Sequence, residues 1–205
     1  MRTSGCNLRC WFCDTPYTSW QPEGHDIPVE EIVAQVEEWD CRHAVLTGGE
    51  PMLFAELIPL AEQLQRRSWH ITIETAGTLY LPVPCDLMSL SPHLPSCGPA
   101  AVRHPRWSLR HERERFKPAV LRQLMAEYNY QLKFVVDRAA ELDEIERFVE
   151  ELPEVNQQQV LLMPQGTSTA ELASRAAWLK PYCHQRGWIY CPRKQIEWYG
   201  TVRRT

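Results

Sequence analysis

Ala44-Val45-Leu46-Thr47-Gly48-Gly49-Glu50-Pro51 decides how this chain is read. A short apolar run without polar alternation is the pattern of a strand covered on both faces, as in a parallel sheet. The paired glycines stop it. On its N-terminal side, Asp26-Ile27-Pro28 opens a helix in which Val29, Ile32, Val33 and Val36 fall on one stripe. On its C-terminal side, residues 54–67 form a second helix with Leu57, Leu60, Ala61 and Leu64 on one face. The alternation then repeats. Strands are predicted at 69–74, 86–90, 131–136, 159–163 and 188–191, and helices at 119–128, 139–152 and 169–185. Six short strands separated by helices predict an α/β fold with a parallel sheet, curled by right-handed crossovers into a barrel or partial barrel. In such folds the chemistry sits where strands end. The unusual residues fall there: 47–51, Glu74-Thr75, Ser91-Pro92 and Met163-Pro164. From 94 to 117, prolines at 95, 99 and 105 break periodicity and charges crowd 110–117. This stretch reads as a long surface excursion with a short helix near Arg110, of the kind that is functional or mobile.

The chain has 205 residues, a formal net charge of −4, 44% apolar and 23% charged residues, which suits a single domain with a sizeable core. No run approaches the 18 or so apolar residues of a membrane-spanning helix. Arg2, Arg9 and three cysteines interrupt the first stretch, which does not read as a signal peptide. The acidic balance argues against coating nucleic acid. The eight cysteines are too few for a disulfide scaffold of this size. In a cytoplasmic chain, clustered cysteines point to metal or catalysis.

Cys6, Cys10 and Cys13 have the spacing C-x3-C-x2-C. Three thiolates on one short loop can converge on a soft-metal site. Structural zinc takes four protein ligands, and a simple ferredoxin cluster four cysteines. A [4Fe–4S] cluster held by three leaves one iron open to a small molecule. A partial zinc site completed by His25 or Cys41, or three unrelated thiols, are the alternatives. Cys41, Cys85, Cys97, Cys183 and Cys191 lack such spacing and read as incidental thiols.

The cysteine motif, followed one strand later by Thr47-Gly48-Gly49-Glu50-Pro51, resembles the radical S-adenosylmethionine superfamily. The resemblance implies a [4Fe–4S] cluster on Cys6, Cys10 and Cys13. Its open iron would chelate the amino and carboxylate groups of S-adenosylmethionine. Gly48, Gly49 and Glu50 would contact the methionine amino group, and Phe12 the adenine. Glycines allow close backbone approach, and a carboxylate complements an ammonium.

A closer resemblance, over nearly the whole chain, is to the 7-carboxy-7-deazaguanine synthase family. It is carried by residues 2–10, Cys13-Asp14-Thr15, Glu74-Thr75-Ala76-Gly77, Leu90-Ser91-Pro92, residues 131–136, residues 162–166, Pro192-Arg193 and Tyr199-Gly200. It implies a trimmed (β/α)6 partial barrel, a homodimer, and ring contraction of 6-carboxy-5,6,7,8-tetrahydropterin to 7-carboxy-7-deazaguanine with loss of ammonia. It also implies Mg²⁺ bound at Thr15, a hard oxygen donor, and flavodoxin or ferredoxin as reductant. Thr75, Ser91 and Lys133 match cofactor-pocket positions. Arg2, Thr47, Gly49 and Arg193 match substrate contacts, and Gln195 stands where the family has a histidine. Four of these have a plainer alternative: Thr15 a turn cap, Arg2 a surface charge, Thr47 a packed strand residue, Lys133 a solvated one. His93 replaces the family's lysine after Ser-Pro. The family's first strand and a Gln-Gly-Glu-Gly segment precede the cysteines; the expectation is that in-frame sequence upstream of Met1 encodes them. A glycyl-radical enzyme activase and an inactive iron–sulfur scaffold are the competing functional readings.

Overall fold

The computed structural model describes Met1–Gly200 and Val202. Seven parallel strands lie in sequence order: β1 (Arg2–Thr3), β2 (His43–Gly48), β3 (His70–Thr75), β4 (Leu87–Leu90), β5 (Tyr130–Val136), β6 (Val160–Pro164) and β7 (Ile189–Tyr190). No pairing joins β7 to β1, so the sheet is an open, partial barrel. Helices α1 (Val29–Glu37), α2 (Leu57–Arg66), α3 (Pro105–Glu114), α4 (Pro118–Glu127), α5 (Leu142–Glu150), α6 (Thr169–Arg186) and α7 (Lys194–Tyr199) complete it. The six strands read from the sequence all form. The two-residue β1 and the short α7 escape that reading, because neither is long enough to show a period.

The sheet's two faces differ, and this makes the site. Along β5, Leu132, Phe134 and Val136 are wholly buried, whereas Gln131, Lys133 and Val135 are only partly covered. The first set packs under the helices, where Phe134 meets Phe148 edge-on at 5.2 Å. The second set faces inward, as the period of two requires. On β2, Leu46 is buried and Val45 is 44% exposed for the same reason.

Residues 94–117 fold back against the cysteine loop. Trp11 donates its backbone N–H to Cys97 O at 3.1 Å and its indole N–H to Ser96 O at 3.1 Å. Arg9 N–H donates to His111 Nδ1 at 3.2 Å, and the Trp20 and His104 rings lie 4.8 Å apart. Leu94, Cys97 and His111 are buried. The His93 and His111 rings stack at 6.2 Å. Burial, then His111 and Arg115, pushes the His93 pKa down to about 4. Burial and Arg115 do the same for His111, also to about 4.

Two outcomes are expected. Phe134→Ala lowers unfolding free energy by about 3–5 kcal/mol, while Val45→Ala on the open face costs no more than about 0.5 kcal/mol; denaturant titration of both measures the contrast. The unfolded chain protonates its histidines near pH 6.5, whereas the folded chain keeps His93 and His111 neutral down to about 4. Their stabilising contribution is therefore complete above pH 6.5 and is lost as pH falls toward 4. Denaturation midpoints measured across that window fall with pH, and His111→Phe flattens the slope.

Candidate active site

A cavity of about 480 Å³ opens at the C-terminal ends of the strands, between the sheet and the cysteine loop. The strands contribute Thr47, Gly48, Glu74, Thr75, Lys133 and Met163 to its wall, the residues after β4 and β7 contribute Ser91 and Arg193, α7 contributes Gln195, and the loop contributes Cys6, Cys10, Phe12, Cys13, Asp14 and Thr15. Gly49, His93 and Arg2 also line it. Tertiary structure thus gathers almost every residue singled out in the sequence around one space.

The loop is held there by backbone contact with the end of β2. Gly5 N–H donates to Thr18 O at 2.8 Å, closing the loop on itself, and Glu50 N–H donates to Gly5 O at 2.8 Å. The approach leaves no room for side chains at the paired glycines. A Cβ on Gly49 would lie 2.2 Å from Gly5 O, and one on Gly48 2.5 Å from Thr3 O.

Glu50 is the exception among the expected site residues. It is fully buried and does not line the cavity. Its carboxylate accepts from Met52 N–H at 3.0 Å, Thr75 hydroxyl at 2.7 Å and Ala76 N–H at 2.9 Å. Burial raises its pKa, and the three hydrogen bonds oppose that rise. In this arrangement Glu50 and Thr75 brace the wall: the Thr75 hydroxyl gives its proton to Glu50 and accepts from Gly77 N–H at 3.1 Å.

Two acidic residues to which the sequence reading assigns no role also stand in the wall. Glu74 accepts from Lys133 Nζ at 2.9 Å. Burial works to raise the Glu74 pKa, but the Lys133 charge and hydrogen bond, with help from Thr47 and Arg2, hold it below the usual carboxylate value. Lys133 therefore points inward, and its solvated alternative is set aside. Asp14 pairs with buried Arg193, whose Nη1 also donates to Gly166 O at 3.2 Å. The signal was present in the sequence: Glu74 is a charge inside an apolar, alternating strand, as Lys133 is.

The three thiols suit a cluster better than a single ion. Among the described residues, no three His, Cys, Asp or Glu groups gather as ligands of one metal ion. His25 and Cys41 are both exposed and do not complete a tetrahedral set. A cluster differs in taking each thiolate on a separate iron. Cys6 and Cys13 are half-buried and Cys10 buried, all on one cavity. Burial pushes the Cys6 thiol up to about 11 and Cys10 well above its ordinary value, so loading the site releases protons. Thr15 precedes the 3-10 turn Pro16–Thr18 without capping it by its side chain, which leaves its hydroxyl on the cavity wall beside Cys13, 3.9 Å from the sulfur. The Phe12 ring stands edge-on to His93 at 6.3 Å.

Comparison with known proteins agrees with this geometry. The Radical SAM superfamily profile matches residues 1–94. A 7-carboxy-7-deazaguanine synthase of Rhodopirellula baltica is 46% identical over 206 residues, spanning this whole chain and 80% of the relative. Another, of Halobacterium salinarum, is 38% identical over 215 residues, spanning the whole chain and 84% of the relative. The crystal structure of QueE from Escherichia coli superposes with a TM-score of 0.64 at 22% identity, over 94% of this chain and 83% of that one. SuiB of Streptococcus suis bound to S-adenosylmethionine gives 0.60 at 15% identity, over 99% of this chain and 52% of that one. These two structures establish the fold, and the full-length identities establish the closer kinship. A chain with this sheet, this cysteine loop and 46% identity from end to end belongs to the 7-carboxy-7-deazaguanine synthase family of the radical S-adenosylmethionine superfamily.

Proposed function

We propose that this chain converts 6-carboxy-5,6,7,8-tetrahydropterin to 7-carboxy-7-deazaguanine and ammonia, in the service of queuosine or a related 7-deazapurine. The observation that carries the reading is the joining, in one cavity, of three cluster-type thiols with two ion pairs, Glu74–Lys133 and Asp14–Arg193. The names of the full-length relatives point to the same reaction. A [4Fe–4S] cluster on Cys6, Cys10 and Cys13, with S-adenosylmethionine bound, would supply the radical chemistry that the ring contraction needs.

The chain's own residues bind and orient. Cys6, Cys10 and Cys13 hold the cluster. Gly48 and Gly49 would present backbone to S-adenosylmethionine, Phe12 would contact its adenine, and Ser91 and Thr75 would shape the remaining wall. Glu50 braces the glycine turn against the end of β3 through its carboxylate's bonds to Met52, Thr75 and Ala76, and so holds the Gly-Gly-Glu segment in place for the methionine amino group. Arg2 and Arg193 are guanidiniums suited to the substrate carboxylate. Glu74, held ionised by Lys133, offers an acceptor to the donor-rich edge of a pterin. Thr47 and Gln195 supply further hydrogen bonds; glutamine at 195 binds without changing charge. Thr15 offers a hydroxyl to Mg²⁺ beside the substrate carboxylate. We further propose a homodimer that receives electrons from flavodoxin or ferredoxin in the cytoplasm, where free thiols and a reducible cluster persist.

The test is anaerobic reconstitution of the chain, followed by reductant, Mg²⁺, S-adenosylmethionine and the carboxytetrahydropterin. The expected products are 5′-deoxyadenosine and 7-carboxy-7-deazaguanine. Deoxyadenosine alone would indicate another radical enzyme, and neither product a scaffold. Cys10→Ala is expected to lose iron and both products, and retained turnover would refute the cluster assignment. Glu74→Gln is expected to lower kcat/KM by at least 10-fold, about 1.4 kcal/mol or more of binding to the transition state, with the cluster spectrum intact; an unchanged kcat/KM would remove Glu74 from the substrate site.

A further inference from the structure

Arg9 lies inside the cysteine motif, and its side chain is turned inward: the residue is 8% exposed. Its Nη1 donates to Cys6 O at 2.8 Å and Leu8 O at 2.7 Å. The guanidinium stacks on Trp107, 3.8 Å from the ring centroid, with Trp20 at 5.9 Å on another side. Among the described residues no carboxylate stands within ion-pair distance of it, whereas the other buried arginine, Arg193, has Asp14. The three motif thiols and the cation Arg110 from α3 act most strongly on its charge, and His111 from the same helix accepts from its backbone N–H at 3.2 Å. A buried charge without a counter-ion is costly, and two carbonyls with an aromatic face recover only part of that cost.

We infer that Arg9 is the built-in counter-charge of the iron–sulfur cluster, a positioning residue that favours the cluster's reduced form. The inference rests on Cys6, Cys10 and Cys13 being the cluster ligands. A [4Fe–4S] core with three thiolates carries net negative charge. Reduction by an external one-electron donor adds one more negative charge and makes or breaks no bond. A fixed cation beside the assembly favours that added electron, since net charge and hydrogen bonding set the potential of such clusters. Arginine suits the place because it does not lose its proton and its flat face can be packed. The clamp formed by 94–117 then has a purpose: Trp107 covers the guanidinium, and His111 holds the Arg9 backbone from the same helix.

The test is an EPR-monitored redox titration of the anaerobically reconstituted chain with dithionite as reductant. Arg9→Gln is expected to move the midpoint to more negative potential, while Arg9→Lys stays close to the parent chain. A Gln variant at the parent potential would overturn the inference, and so would a Lys variant shifted as far as Gln, because shape and not charge would then matter. Trp107→Glu places a carboxylate against the guanidinium without removing it, with Trp107→Gln as its control. The Glu variant is expected at more negative potential than the Gln variant. This pair decides the matter if Arg9→Gln does not fold or load: equal potentials would overturn the inference. A parent chain that takes up no iron would instead overturn the underlying cluster assignment.

Discussion

The carboxylate of Glu50 is the point on which the site depends. It is wholly buried, makes no ion pair among the described residues, and is satisfied by Met52 N–H, Thr75 hydroxyl and Ala76 N–H, while its own backbone N–H bonds Gly5. One residue therefore ties together the cysteine loop, the end of β2 and the end of β3. A buried carboxylate short of a partner is expensive, so each of these bonds is strongly enforced. The Gly48-Gly49 turn can then pass against the loop at backbone distance, which a side chain at either position would forbid.

The cavity follows from the parallel sheet. Sequential strands send alternate residues to the helices and to the open face, and the apolar set on the helix side supplies the stability. The open face is then free to be polar. Glu74 lies opposite Ser89 on β4, and Ser89 opposite Gln131 on β5. Serine is small, so Lys133, two residues on along the same face, can reach across β4 to Glu74. The ion pair joins strands that are not neighbours and leaves a carboxylate held ionised on the cavity wall.

Most of the architecture was legible in the chain. Apolar runs and helical stripes placed six strands and most helices, since long elements carry their period in local sequence. The C-x3-C-x2-C spacing and the Gly-Gly-Glu turn marked the site, because they bring chemistry-bearing groups together over short distances. What was not legible depends on distant partners. The direction of the Glu50 side chain, the pairing of Asp14 with Arg193, 179 residues apart, and the docking of 94–117 on the cysteine loop have no local signature. The short helix expected near Arg110 forms as α3, but nothing local shows that its buried His111 finds its partner at Arg9.

The amino-acid sequence by itself determined the α/β alternation, the three-thiol motif and the kinship with radical S-adenosylmethionine enzymes, all of which reside in spacing along the chain. Only the tertiary structure decided which charges face one another. It drew Glu50 out of the cavity wall and into a brace, put Glu74 and Asp14 into that wall, and buried Arg9 next to the cysteine loop with no carboxylate within ion-pair distance among the described residues. The reason is that hydrogen bonds and ion pairs are set by distance in space, and strand register and loop packing bring together residues that the sequence keeps far apart.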